Sequence, residues 1–358
     1  MEKKRPMKKG EIRKKVKKKE GEEVEEIKRI GRKRTNIFVI STKKRKILLT
    51  GASGHIGQAM LQKLIEKNEK VLAWTKRSIE AHNDNVEKIY GDIKDPEFCM
   101  NVTKNIDVIL HFAALVGNSY SSSELMKVNA LGTKYLVEGA LKNGVEHFIF
   151  CSSIAVYAKK VKGIIDENTL TLAQDPYGRS KVIAEYFVRN AQKEGLNTTI
   201  IRPVNAYGKT FTTPYFKVFR MVEEGKARII GNGKNIIPFI SIDDVTEAFY
   251  RAIKNPITYD KVYLLSDRIQ LSQKEILDYT AQLLNAPKPK HISITLAKLA
   301  FKLKLINLTK DEFELFLSDR KVDTSKIYNE LNFEPKINIW EGIRMMVELY
   351  KKQFLQVI

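Results

Sequence analysis

Two residues four positions apart, Tyr177 and Lys181, give the clearest chemical reading of this chain. They lie in Asp175-Pro176-Tyr177-Gly178-Arg179-Ser180-Lys181, ahead of a helical pattern of Val182, Ala184, Phe187, Val188 and Ala191. Pro176 suits a first helical turn, and the spacing of four puts Tyr177 and Lys181 on one helix face. An ammonium near a phenol favours the phenolate, drawing its pKa from about 10 toward neutrality, as general acid/base work requires. Hydroxyls also collect at Ser152-Ser153, directly after the apolar run His147-Phe148-Ile149-Phe150-Cys151. That is the C-terminal end of a strand, where open α/β sheets bind ligands.

A second constellation lies upstream. The short β-rich run Lys46-Ile47-Leu48-Leu49-Thr50 is followed at once by Gly51-Ala52-Ser53-Gly54-His55-Ile56-Gly57, and then by the helical pattern Ile56, Met60, Leu61, Leu64, Ile65. Strand, glycine loop and helix in this order bring backbone close to a pyrophosphate and aim helix N–H groups at it. Gly51, Ser53, Gly54, His55, Ile56 and Gly57 are the candidate dinucleotide-binding residues of this loop. The next strand, Lys70-Val71-Leu72-Ala73-Trp74, ends in Thr75-Lys76-Arg77-Ser78. An NAD enzyme wants a carboxylate there for the ribose hydroxyls, whereas a 2′-phosphate wants cations. Lys76 and Arg77 favour NADP over NAD, the alternative being that both are solvated loop charges.

The elements that must hold these residues alternate regularly. Val86–Tyr90, Val108–Phe112 and His147–Cys151 read as further strands, with a helix around Leu131 to Leu141 between the last two. Alternation of this kind predicts an α/β fold with a doubly wound parallel (Rossmann) sheet. His111 and His147 lie inside apolar strands and read as core or strand-end histidines. Ser152 and Tyr157, which sit beside the chemical motif, read as packing and hydrogen-bonding residues.

In order and distance, TGASGHIG, GDIKD, HFAA, SSIAVY, YGRSK, IRPVNAYG and FISIDDV resemble the extended short-chain dehydrogenase/reductase family, the NAD-dependent epimerase/dehydratase group, over about residues 45 to 355. The resemblance implies that Tyr177 is the catalytic acid/base, that Lys181 lowers its pKa and holds the nicotinamide ribose, and that Ser153 hydrogen-bonds the reacting oxygen. It further implies that Asp92 and Ile93 flank the adenine and that Ala113 and Ala114 lie along the cofactor. Asn129 matches an asparagine that supports the site, with a structural hydrogen bond as the alternative.

The implied organisation is a basic tail at 1–44, a dinucleotide-binding domain at 45–205 and a smaller substrate-binding lobe at 206–358. Within the last part, about 236–254 returns to the first domain. Ser272-Gln273-Lys274-Glu275 reads as a capping box. The cationic, apolar segment Ile294 to Leu308 reads as an amphipathic helix packed on the lobe, or as a membrane-surface or partner element.

The implied activity is hydride transfer between a nicotinamide cofactor, NADP or NAD, and a hydroxyl or carbonyl carbon, with a nucleotide sugar among the candidate substrates. Sugar-nucleotide members place an arginine for the diphosphate just before the FISIDDV stretch, where this chain has Asn235-Ile236-Ile237-Pro238. That departure favours a less charged ketone, aldehyde or hydroxysteroid-like substrate unless Arg320 or Lys234 substitutes. A non-catalytic cofactor-binding regulator is the rival of another class, and the intact Ser153, Tyr177 and Lys181 set speaks against it. Family members often pair through a helical bundle, so a homodimer is expected.

Composition bounds the rest. The 358 residues carry a formal charge of +21, and residues 1–45 alone hold 19 basic against 7 acidic side chains. With so little apolar surface, residues 1 to 34 are expected to be disordered or transiently helical. They read as a solvated extension, with weak, salt-sensitive contact to nucleic acid or anionic lipid as the alternative. Two distant cysteines, Cys99 and Cys151, exclude a disulfide framework, and the five histidines show no ligand spacing, so no metal is expected. No apolar run reaches membrane-span or signal-peptide length, and a soluble, cytoplasmic protein is expected.

Overall fold

The computed structural model describes residues 45–355 except Asn118 and Asn307, together with three strands between residues 13 and 41. The chain forms two units, Met1–Arg45 and Lys46–Ile358.

In the first unit, Arg13–Lys19, Glu22–Arg29 and Asn36–Ser41 are antiparallel strands in sequence order. Their register sets Lys15 opposite Glu26, Lys18 opposite Glu23 and Lys19 opposite Glu22. Asn36–Ser41 is rich in β-branched residues, which favour extended backbone. Residues 1–12, 20–21, 30–35 and 42–44 of the tail lie outside the described residues.

The second unit is built on a seven-stranded parallel sheet. Its strands are β1 (Lys46–Thr50), β2 (Lys70–Thr75), β3 (Val86–Tyr90), β4 (Val108–His111), β5 (His147–Cys151), β6 (Thr198–Pro203) and β7 (Lys261–Leu265). The spatial order is β7-β6-β5-β4-β1-β2-β3, so the winding reverses between β1 and β4. Both faces are covered, which is why the strands are nearly continuous apolar runs. Ile47 and Leu49 join the core on one face and Leu48 the core on the other.

The first face packs on α1 (His55–Glu66), through Met60, Leu61 and Leu64. The second packs on α2 (Gly132–Lys142) and α3 (Pro176–Lys193), through Leu136, Ala140, Ala184 and Val188.

After β6 the chain leaves the sheet as α4 (Thr213–Glu223) and returns as α5 (Ile242–Ala252), whose Phe249 lies in the first core, 4.6 Å between ring centroids from Phe112. The sheet then takes one more strand, β7, from the stretch assigned by sequence mainly to the lobe. The lobe has its own core, in which Phe219 and Val222 of α4 meet Leu277, Ile343 and Met346. Ser272 and Glu275 form the expected capping box at the start of the Gln273–Leu283 helix. Two further helices, α6 (Ile294–Lys302) and α7 (Lys310–Leu317), cover its edge, and the helix in the 294–308 segment ends earlier than the sequence pattern suggests.

Candidate active site

The glycine loop lies at the C-terminal end of β1, beside the point where the sheet reverses. A Cβ on Gly57 would stand 2.0 Å from the Gly51 carbonyl oxygen, so this approach of loop to helix is open only to glycine. Gly54 caps α1 without a side chain, and the first turn contains no acidic residue. Its N–H groups and dipole thus face the loop uncompensated by protein charge, which fits a bound pyrophosphate. Ser53, His55 and Ile56 complete the loop, and the His55 ring packs on Phe211, 4.5 Å between centroids.

Along the cofactor's expected path, Ala113 and Ala114 follow β4, and the Ala113 N–H donates to the Thr50 hydroxyl at 3.1 Å. Ile93 is buried against Gly132, where a Cβ would meet it at 2.9 Å. Asp92 accepts from the Lys76 ammonium at 2.9 Å and from Lys94 at 3.2 Å. Partial burial raises the pKa of Asp92, but the Lys94 N–H and the two ammonium groups together hold it below the ordinary value. Lys76 is therefore paired with a carboxylate, while Arg77 is exposed.

Ser153 and Tyr177 come together at the end of β5. Ser153 caps the short turn Ile154–Val156, accepting from the Ala155 N–H at 3.1 Å. Asp175 caps α3 by accepting from the Gly178 N–H at 2.8 Å, with Pro176 in the first turn as the sequence suggests. A Cβ on Gly178 would stand 2.2 Å from the Ala155 carbonyl oxygen, so glycine lets the start of α3 press onto the turn that carries Ser153.

Burial raises the pKa of the Tyr177 hydroxyl and the neighbouring Cys151 adds to the rise, against a hydrogen bond with Ser153 that lowers it. The expected lowering by Lys181 is not among these influences. The Lys181 ammonium instead donates to the Cys151 carbonyl at 2.6 Å and stands 4.2 Å from the centre of the Phe150 ring. Burial pushes its own pKa down to about 8.

Asn129 lies in a π-helical turn, Met126–Leu131, immediately before α2. Its side chain accepts from the Leu115 N–H at 2.8 Å and donates to the Leu115 carbonyl and the Ser180 hydroxyl, each at 2.9 Å. Ser180 in turn donates to the Tyr177 carbonyl at 2.7 Å. The Thr133 hydroxyl donates to the Asn129 carbonyl at 2.6 Å and meets His111 Nε2 at 2.9 Å, while His111 Nδ1 meets the Thr50 hydroxyl at 2.7 Å. Since the Thr133 proton is already committed, His111 Nε2 carries the ring proton and Nδ1 accepts from Thr50. Burial holds His111 neutral, with its pKa pushed down to about 3. A thread of hydrogen bonds thus runs from the residue before the glycine loop to the backbone of Tyr177.

Ser152 and Tyr157 belong to a different network. Ser152 donates to Glu185 at 2.6 Å, Glu185 pairs with Arg202, and Arg202 donates to the Tyr157 hydroxyl, all buried. His147 Nε2 meets the Thr199 hydroxyl at 2.8 Å, a core role. Arg320 donates to the carbonyls of Ala158 and Tyr157 at 3.0 and 3.2 Å, which ties it to the backbone beside the site.

With this geometry in place, the family model described as NAD dependent epimerase/dehydratase family matches residues 47–265. The chain belongs to that family. Relatives include a 2-alkyl-3-oxoalkanoate reductase of Stenotrophomonas maltophilia, 23% identical, with 84% of this chain and 98% of the relative covered. A dTDP-D-glucose 4,6-dehydratase of Bos taurus is 27% identical over 87% of this chain and 90% of its own length. The crystal structure of a UDP-glucose 4-epimerase from Thermotoga maritima with UDP-glucose has the same fold, with a TM-score of 0.71, 23% identity and coverage of 86% and 99%. This epimerase/dehydratase-family chain is an enzyme of the extended short-chain dehydrogenase/reductase type, and its cofactor class is the nicotinamide dinucleotides.

Proposed function

We propose that Tyr177 moves the proton at the substrate oxygen while Ser153 holds that oxygen and Lys181 orients the nicotinamide ribose. The observation that carries this reading is the hydrogen bond joining Tyr177 to Ser153 at the C-terminal end of β5, on the same edge of the sheet as the glycine loop after β1. When bound, the dinucleotide exchanges hydride at its nicotinamide C4 with the substrate carbon. Ser153 donates to the substrate carbonyl or accepts from the alcohol, so the reacting oxygen sits within reach of the phenol. In reduction Tyr177 gives its proton to the developing alkoxide, and in oxidation it takes the alcohol proton.

The substrate proposed is an alcohol or carbonyl compound of low charge. Asn235-Ile236-Ile237-Pro238 stands in the stretch where a diphosphate-binding arginine is expected, and the Asn235 amide is spent on the carbonyls of Phe316 and Ser318. A nucleotide sugar is the second reading, favoured by the dehydratase relative and by the epimerase that shares the fold. NADP is the proposed preference, supported by Lys76 and Arg77 directly after β2, where no carboxylate immediately follows in sequence, although Lys76 is paired with Asp92. A cytoplasmic homodimer is also proposed, with the exposed Tyr186 of α3 and Leu131 before α2 available for pairing.

Mass spectrometry of the native protein, followed by an NADPH-consumption assay with a ketone panel, tests the reading. Turnover of added NADPH supports the reductase. A tightly retained nucleotide with no consumption favours the epimerase, and a chain that binds neither dinucleotide overturns both.

A further inference from the structure

The edge of the lobe exposes an apolar surface that the proposed chemistry does not use. Five large apolar side chains fall within twelve residues, with Ile294 42%, Leu296 53%, Leu299 50%, Leu303 59% and Leu305 75% exposed. The inner side of α6 is accounted for, since Ala297 is buried and Phe301 stacks on Phe313 of α7, 4.3 Å between centroids. Leu296, Leu299 and Leu303 are spaced i, i+3, i+7 and share the opposite face, while Lys298 and Lys302, spaced i, i+4, run beside them.

Charge identifies what such a face meets. From Tyr279 to Lys310 the chain has six lysines and no aspartate or glutamate. Two copies of this face would bring lysines against lysines, which opposes self-pairing. A nucleic acid would match the charge but leave the leucines in water. An anionic bilayer surface satisfies both: leucines enter the boundary below the headgroups, and lysine stems lie along the apolar surface with their ammonium groups among the phosphates. The nine residues of α6 are far too few to span, and no described helix is long and apolar enough to cross a membrane.

We propose that α6 and the turn after it, Ile294–Leu305, dock this enzyme on the surface of anionic membranes. The docking is independent of the substrate assignment above.

The test is co-sedimentation of the full-length protein with vesicles of equal phosphatidylcholine and phosphatidylglycerol, compared with phosphatidylcholine alone. Wild type should partition to the anionic vesicles. Leu299→Ser with Leu303→Ser, two exposed positions, should lower that partition at least about tenfold while the melting temperature stays the same. The basic residues before Lys46 are intact in this variant, so any binding they supply is unaffected. Lys298→Gln with Lys302→Gln should weaken binding to anionic vesicles and leave the neutral ones unchanged. Equal binding of wild type and the leucine variant overturns the proposal, as does failure of wild type to bind. Sedimentation velocity adds a further arm: a drop in oligomer size in the leucine variant, without vesicle binding by wild type, makes the face a contact between copies and also overturns it.

Discussion

The Lys181 ammonium is bonded to the Cys151 carbonyl, the last residue of β5, at 2.6 Å. A cation on the helix is thereby fastened to the end of the strand whose next two residues are Ser152 and Ser153. The bond holds α3 against the sheet at the site, at the cost of enclosing a charge.

That cost is measurable. Burial brings the Lys181 pKa to about 8 from 10.5 in the unfolded chain, so the native state disfavours the charged amine by about 3 kcal/mol. Between about pH 8 and pH 10.5 the unfolded chain holds this proton and the native state has lost it, so stability rises with pH across that window. Lys181→Met should therefore melt higher than wild type at neutral pH, with the gap closing as the pH approaches 10.5. Thermal melts across this range check it, and a variant that melts lower at neutral pH contradicts it.

Tyr177→Phe should lower turnover by about a hundredfold or more, the range for loss of a general acid. Dinucleotide affinity, measured by calorimetry, should stay within a few-fold. Near-normal turnover would mean that another group moves the proton.

Gly57→Ala should abolish dinucleotide binding, because the new Cβ would overlap the Gly51 carbonyl and force the loop off α1. Titration of either dinucleotide reads the loss, and unchanged affinity would remove the loop from the cofactor site.

Glu185→Gln should destabilise the fold by about 3 to 5 kcal/mol, leaving the Arg202 charge buried without its partner. Pairing that change with Arg202→Met should recover a large part of the loss. Denaturant titration of the single and double variants measures both, and a double variant no better than the single would show that the charge is not the cause.

The strands β1 to β5 were legible because most are short apolar runs ending at a glycine, a hydroxyl or a turn, whereas β6 and β7 were not read as strands of this sheet. Ser153 and the glycine loop were legible because each directly follows a strand, and Tyr177 because it opens a helix four residues before Lys181. The thread from Thr50 through His111 and Thr133 to Asn129 was not. Its members are scattered across 50–133, and each taken singly reads as an ordinary polar residue in an apolar setting. The target of Lys181 is a backbone carbonyl, which leaves no mark in residue type, so its contact with β5 had no signal. Gly178 was visible only as part of its motif, while its purpose depends on how closely the turn at Ala155 approaches.

The π-helical turn at Met126–Leu131 makes this enzyme sensitive to chain length at one place. A π turn holds one residue more than an α turn, and Asn129 owes its direction toward Leu115 and Ser180 to that surplus. Removing a single residue such as Lys127 lets the segment wind as regular α-helix. Thr133 and the rest of α2 then keep their phase, because the π turn already absorbs the surplus residue, and it is Asn129, inside that turn, that loses the place from which it reaches Leu115 and Ser180. An indel too small to disturb the hydrophobic core would in this way disconnect the cofactor loop from the helix that carries Tyr177.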